Sequence, residues 1–164
     1  MTSSFNAKNI IELLNLSPLP GEGGYFRRTY EGTMNTDGRA EFSVIYYLLT
    51  ADNPRSALHY LPIAETYHFY LGDPVEMLVL EANQPGRELI LGQDLQAGQQ
   101  VQAMVPANCW HGSYLCKGGS FALLGTTMTP GYIDQDYQQA DSAKLQEEHP
   151  AFAEQIRKLT EEIL

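Results

Sequence analysis

Three side chains in the middle of this sequence have the types and spacing to act together: His59, Glu65 and His111. Two imidazoles and one carboxylate form a ligand set that suits non-haem iron and leaves positions open for substrate or oxygen. Zinc with three protein ligands and a water fits as well, and manganese and nickel complete the range of divalent ions to consider. The same residues can also work without a metal. His59 is then the base, because imidazole titrates near neutral pH, Glu65 orients it through a hydrogen bond, and Tyr47 or Tyr67 donates a proton. A third use is binding without catalysis, since a buried His–Glu pair is also a structural contact when its hydrogen bonds are complete. The candidate catalytic pair is therefore His59 and Glu65. The candidate ligand contacts are His59, Glu65, Tyr47, Tyr67, His111 and Trp110, and the candidate metal ligands are His59, Glu65 and His111.

These residues can meet only if strands aim them. Alternate residues of a strand face one side, so positions 59 and 61 point together. Glu65 then enters from the next strand after a turn, and His111 arrives from a distant strand after the turn Pro106-Ala107-Asn108. His68 lies an odd number of residues from Glu65 and is expected on the opposite face, outward or at an interface. His149 precedes Pro150 in the tail and is expected in solvent. Tyr46, Tyr47, Tyr60, Tyr67 and Tyr70 cluster around the first of these strands. They read first as core and interface residues, with one or two lining a pocket. Trp110 reads the same way, packing first and ligand wall second. Arg27 and Arg28 alternate, so at most one looks inward, where it can meet a carboxylate or phosphate of a ligand.

The surrounding pattern is a run of short strands. Residues 25–30, 42–50, 57–61, 65–71, 75–81, 88–91, 100–105, 111–115 and 121–128 are rich in Tyr, Val, Ile, Phe and Leu and are separated by turn residues. No helical stretch interrupts them, which disfavours a parallel βαβ sheet and favours a sandwich or barrel. Ile10, Ile11, Leu13 and Leu14 give an N-terminal helix over about 7–16 an apolar side, ended by Ser17-Pro18. Asp141 or Ser142 caps a helix in the tail, and a second begins at Pro150 with Phe152, Ile156, Leu159 and Ile163 on one face. The expectation is one domain over 1–164, with the barrel at about 24–130 and C-terminal helices at about 141–164. Glu22-Gly23-Gly24 is glycine-rich, but no Gly-Lys-Ser/Thr follows, so it reads as a tight turn.

The 164 residues suffice for a single core without disulfide or metal support. A formal net charge of -10 and no basic cluster argue against nucleic acid as a partner. No apolar stretch is long enough to span a membrane. Cys109 and Cys116 read as two unpaired, partly buried thiols. The first residues lack the apolar run of a signal peptide, so the cytoplasm is the expected location.

Two segments resemble the cupin motifs. The first motif runs Gly, five residues, His-x-His, three or four residues, Glu, six residues, Gly. Here Asn53, His59, Leu61, Glu65 and Gly72 stand at those places, so Leu61 replaces the second histidine. The second contains Pro-x-Gly-x-x-His, which Pro106-Ala107-Asn108-Cys109-Trp110-His111 matches with Asn for Gly, a mild swap because Asn tolerates positive φ. Over nearly its whole length the chain is similar to the cupin family 5 proteins, a domain of unknown function. The likeness runs through Leu14-Asn15-Leu16, Gly21-Glu22-Gly23-Gly24-Tyr25-Phe26-Arg27-Arg28-Thr29-Tyr30, Ile45-Tyr46-Tyr47-Leu48-Leu49, the stretch from His59 to Gly72-Asp73-Pro74, and Thr127-Met128-Thr129-Pro130-Gly131-Tyr132. Tyr67 replaces that family's usual Trp, and His111 stands where many members have Gln, restoring the histidine of the wider motif. The resemblance implies an all-β cupin double-stranded β-helix (jelly-roll) barrel, a homodimer, and a small-molecule ligand in the barrel. It supplies no agreed substrate. The overall shape implied is that of the dTDP-4-dehydrorhamnose 3,5-epimerases, which makes sugar-nucleotide epimerisation the model for metal-free isomerase chemistry.

Overall fold

A computed structural model of the chain describes residues 5–161. The first helix, α1 (Ala7–Leu14), begins where the Asn6 side chain accepts a hydrogen bond from the Asn9 N–H. It ends at Asn15, whose φ of 52° is left-handed and whose N–H bonds back to Glu12 and Ile11 carbonyls. That turn stops the helix two residues before the sequence pattern does.

Eleven strands follow: β1 (Ser17–Pro18), β2 (Tyr25–Glu31), β3 (Ser43–Thr50), β4 (Arg55–Leu61), β5 (Glu65–Gly72), β6 (Val75–Glu81), β7 (Arg87–Leu91), β8 (Gln102–Val105), β9 (Cys109–Leu115), β10 (Phe121–Met128) and β11 (Gln138–Gln139). They form a six-stranded sheet in the order β1-β2-β3-β10-β5-β8 and a five-stranded sheet in the order β11-β4-β9-β6-β7. All strand pairs are antiparallel. The two sheets face each other as the expected jelly roll. Gly72 closes the β5–β6 turn with φ of 107°, and a Cβ there would lie 2.4 Å from the Phe121 carbonyl oxygen.

Period-2 alternation decides which residues reach the site. Ile45, Tyr47 and Leu49 of β3, Tyr67 and Phe69 of β5, Val75, Met77 and Val79 of β6, and Ala122 and Leu124 of β10 fill the interior. Their neighbours face outward and are covered in turn. Leu48 and Leu123 pack under Ile10 and Leu16 at the α1 end. Leu58, Leu78 and Leu80 pack under the tail.

The tail is α2 (Ser142–Glu148), a 3-10 turn at Pro150–Phe152, and α3 (Ala153–Thr160). Asp141 caps α2 by accepting from the Lys144 N–H. Leu145, Ile156 and Leu159 are its buried anchors. Ile163, expected on the same face, lies outside the described residues. His149, expected in solvent, is instead half-buried at the end of α2. Both cysteines are free, with Cys109 buried and Cys116 half-buried. No helix among the described residues is long and apolar enough to cross a membrane.

Candidate functional site

β4 and β9 are paired so that His59 stands directly opposite His111, with ring centroids 4.3 Å apart. Glu65 opens β5 in the other sheet and points across the interior at them. One donor atom from each of His59, Glu65 and His111 falls within 4.8 Å of the others, and all three residues are buried. The positive φ of Asn108, 64°, turns the chain into β9 and fits Asn at the motif's glycine place.

The hydrogen bonds assign most of the protons. His59 Nδ1 lies 2.7 Å from the Ala57 carbonyl oxygen, which can only accept, so Nδ1 carries the hydrogen and Nε2 keeps its lone pair. Glu65 Oε2 accepts from Tyr67 Oη at 3.0 Å and from His111 Nε2 at 3.1 Å. His111 Nδ1 is buried without a hydrogen-bond partner among the described residues.

His59, Glu65, Tyr47 and Tyr67 line a cavity of about 380 Å³ whose wall is otherwise mostly apolar, with Phe26 and Ile45 among its residues. His111 reaches Glu65 without forming part of that wall. Trp110 does not line it either, which corrects its place among the ligand contacts. As the neighbour of the inward His111 it must face outward, and there it packs under the tail with Leu58 and Leu80. Tyr47 Oη donates to the Gly23 carbonyl at 2.8 Å, so its hydroxyl is committed to the backbone. His68 faces away from the cavity, beside Thr127 and Gln102 at 3.2 and 3.1 Å. Of the two arginines, Arg28 looks toward the cavity mouth, paired with Glu31 at 3.1 Å. Arg27 lies over the Tyr46 ring on the outer face.

Sequence reading passed over Glu22, Tyr132 and Tyr137. Glu22 stands in the glycine turn, yet it reaches into the cavity and its Oε1 accepts from Ser56 Oγ at 2.7 Å. Tyr132 lines the cavity, and Tyr137 stacks on His59 with centroids 5.1 Å apart. Both come from the segment after β10, whose irregular sequence carries no strand or helix period. Arg39 anchors that segment through Asp136 and the Gly131 carbonyl.

Burial sets the site's charges apart. It lowers the His59 pKa, against the pull of Glu22. It raises Glu22, with the Glu65 charge adding to the effect. Burial also acts to raise Glu65, but the hydrogen bond and charge of His111 outweigh it and hold Glu65 below the usual carboxylate range. The site at neutral pH thus combines a neutral imidazole, an ionised Glu65 and a Glu22 that holds its proton more tightly than a free carboxyl.

Opposite pH signatures follow for metal-free protein. A lowered folded pKa at His59 means that the unfolded chain takes up the proton first. Stability is then lost as pH falls below about 6.5, the unperturbed imidazole value. Raised Glu22 acts in the other direction. It disfavours the fold near pH 7 and ceases to do so as pH falls toward about 4.3, the unperturbed carboxyl value. Denaturant titrations at several pH values should show His59→Asn flattening the loss below pH 6.5 and Glu22→Gln raising stability near pH 7. Parallel curves for wild type and both variants would contradict these assignments.

The donor set fits a divalent ion. A ligating histidine commonly donates its other ring N–H to a carbonyl, as His59 does to Ala57, and a ligating carboxylate is itself hydrogen-bonded, as Glu65 is by Tyr67. The 3.1 Å between His111 Nε2 and Glu65 Oε2 is close to the spacing of neighbouring ligand atoms on an ion bound at about 2.1 Å. Leu61, two residues from His59, faces the same cavity and leaves the set at three protein ligands.

A family model described as "Cupin superfamily (DUF985)" matches residues 8–140. A hypothetical protein from Leishmania major superposes with a TM-score of 0.85 at 27% identity, covering 96% of this chain and 100% of its own. A protein from Shewanella oneidensis superposes with a TM-score of 0.87 at 29% identity, covering 96% and 98%. A variant of Bacillus subtilis oxalate decarboxylase shares the fold, with a TM-score of 0.55 at 12% identity over 89% of this chain and 38% of its own. No curated protein matches the sequence.

Proposed function

Because this chain belongs to the cupin family described as DUF985, we propose that its barrel holds a divalent metal ion on His59, Glu65 and His111 and binds a small organic molecule in the cavity beside it. The observation that carries this reading is the convergence of three donors from three strands in two sheets, with His59 and Glu65 opening on one cavity. Iron, zinc, manganese and nickel all suit two imidazoles and a carboxylate. Bound there, such an ion would supply Lewis-acid polarisation of a ligand oxygen, as a metal-dependent isomerase needs, and iron would add the electron transfer that an oxygenase needs. The chain's own residues do the rest. Phe26 and Ile45 give the ligand an apolar wall, Tyr67 holds Glu65 in place, and Glu22 offers a second carboxyl group that can give or take a hydrogen bond.

Elemental analysis of protein purified without chelator tests this directly. Near-stoichiometric metal is expected in the wild type and less than about a tenth of it in His59→Ala, which lacks one of three ligands. Wild-type protein that stays empty after anaerobic Fe(II) and Zn(II) titration would sink the metal reading.

One observation supports a second, metal-independent reading. Glu22 and His59 have pKa values displaced in opposite directions, the arrangement of an acid and a base held in one site. Proton transfer of the isomerase kind, with sugar-nucleotide epimerisation as the fold-level analogy, would use this pair. Ligand binding or turnover that survives complete chelation favours it over the metal.

We also read the protein as a homodimer. The six-stranded sheet ends on β8, a four-residue strand with no further strand pairing among the described residues, whose Met104 is exposed. Light scattering should give twice the chain mass at micromolar concentration, and a single-chain mass would contradict this.

A further inference from the structure

Among the described residues, Arg55 is a buried cation that stands outside the barrel without a counter-charge. Arg55 opens β4 and is 8% exposed, yet no carboxylate among the described residues comes within ion-pair distance of it. Its Nε is buried with no hydrogen-bond partner among the described residues, and the same holds for Asn53 Oδ1 and Tyr137 Oη. Arg55 and Asn53 line one cleft of about 560 Å³, between the Gly21–Tyr25 turn, β11 and the end of α3. Tyr137, whose phenol burial holds well above its usual range, is near enough to Arg55 for the guanidinium to oppose that rise.

The cleft is built by close packing. Gly23 has φ of 100°, and a Cβ there would lie 2.3 Å from the Arg55 carbonyl oxygen, so only glycine lets the turn lie so close to β4. Thr160 and Gln139 face the cleft from the other side. Asp52 and Glu161 line it too, but neither reaches the guanidinium. A guanidinium does not shed its proton near neutral pH, so burial cannot be relieved by neutralisation as it is for lysine. A guanidinium whose Nε is buried without an acceptor is stabilised when an anion meets it from the cleft.

We propose that the cleft at Arg55 is a second ligand site, which binds a small oxyanion, a carboxylate or a phosphate, through the Arg55 guanidinium. The fork of N–H donors on arginine matches two oxygens of such a group. The flanking Asp52 and Glu161 exclude large, highly charged anions. This site is separate from the barrel cavity and does not depend on a metal there.

The test is nuclear magnetic resonance of the Arg55 Nε–H signal, assigned by its loss in Arg55→Gln. The full chain is titrated with sodium acetate, and separately with inorganic phosphate, against sodium chloride at equal ionic strength. A saturable shift of the Arg55 signal is expected with at least one oxyanion and not with chloride, and the arm that responds identifies carboxylate or phosphate chemistry. Thr160→Glu, which brings a carboxylate to the cleft edge while keeping Arg55, should weaken that binding by at least about tenfold. Linear, unsaturated shifts equal to those of the exposed arginines would overturn the proposal. So would binding seen only in a variant lacking residues 162–164, because the chain's own tail would then be the occupant.

Discussion

Glu65→Gln protein is expected to fold normally and to lose divalent-metal affinity on the order of a thousandfold, since losing even an outer-shell partner commonly costs about 10–100-fold. Gln keeps the shape and one acceptor oxygen, so Tyr67 Oη and His111 Nε2 retain a partner. What disappears is the negative charge, and a neutral amide oxygen is a poor ligand for an ion otherwise held by two neutral imidazoles. Because His111 holds Glu65 below the usual carboxylate range, the charge contributes to the fold at neutral pH, and the metal-free variant should be modestly less stable than the wild type while still folding. Competition titration with a zinc indicator, together with thermal unfolding in chelator, measures both quantities. Unchanged affinity would place the ion elsewhere. Unfolding of the variant would assign Glu65 a purely structural role.

Leu61→His is expected to act in the opposite direction. Leu61 is two residues from His59 on β4, is 3% exposed, and lines the same cavity. An imidazole there would add a fourth protein ligand and tighten binding by roughly tenfold or more, because the strand already holds it on the right face. The same change puts a polar ring in an apolar slot. Metal-free protein should therefore lose about 1–3 kcal/mol of stability, and the loss should be recovered when metal is added. Denaturant midpoints with and without zinc give both numbers. A variant that is destabilised equally in both conditions would show that the side chain at position 61 does not reach the ion.

The three donors were legible in the sequence because strand periodicity is a strong constraint. His59 and Leu61 share a face by alternation, and the Pro106 turn with Asn108 at positive φ sets His111 opposite His59. His68 lies on the far face for the same reason. Of the two roles the sequence leaves to Trp110, packing holds, because alternation next to the inward His111 turns it toward the tail. Glu22 and Tyr137 were not legible. Each comes from a segment without period, and each reaches the site through long-range packing: Glu22 through the Ser56 hydroxyl, Tyr137 through its stack on His59 and the pairing of β11 with β4. Arg55 was invisible for a related reason. A charged residue at the start of a strand looks exposed until the Gly23 turn and α3 close over it.

The most direct measurement is anomalous diffraction from crystals of the wild-type protein loaded with zinc or iron. One strong peak is predicted, bonded to His59 Nε2, a His111 ring nitrogen and a Glu65 carboxylate oxygen at about 2.0–2.2 Å. A pocket without an anomalous peak under excess metal, with the His111–Glu65 hydrogen bond still at 3.1 Å, would contradict a metal centre in this barrel.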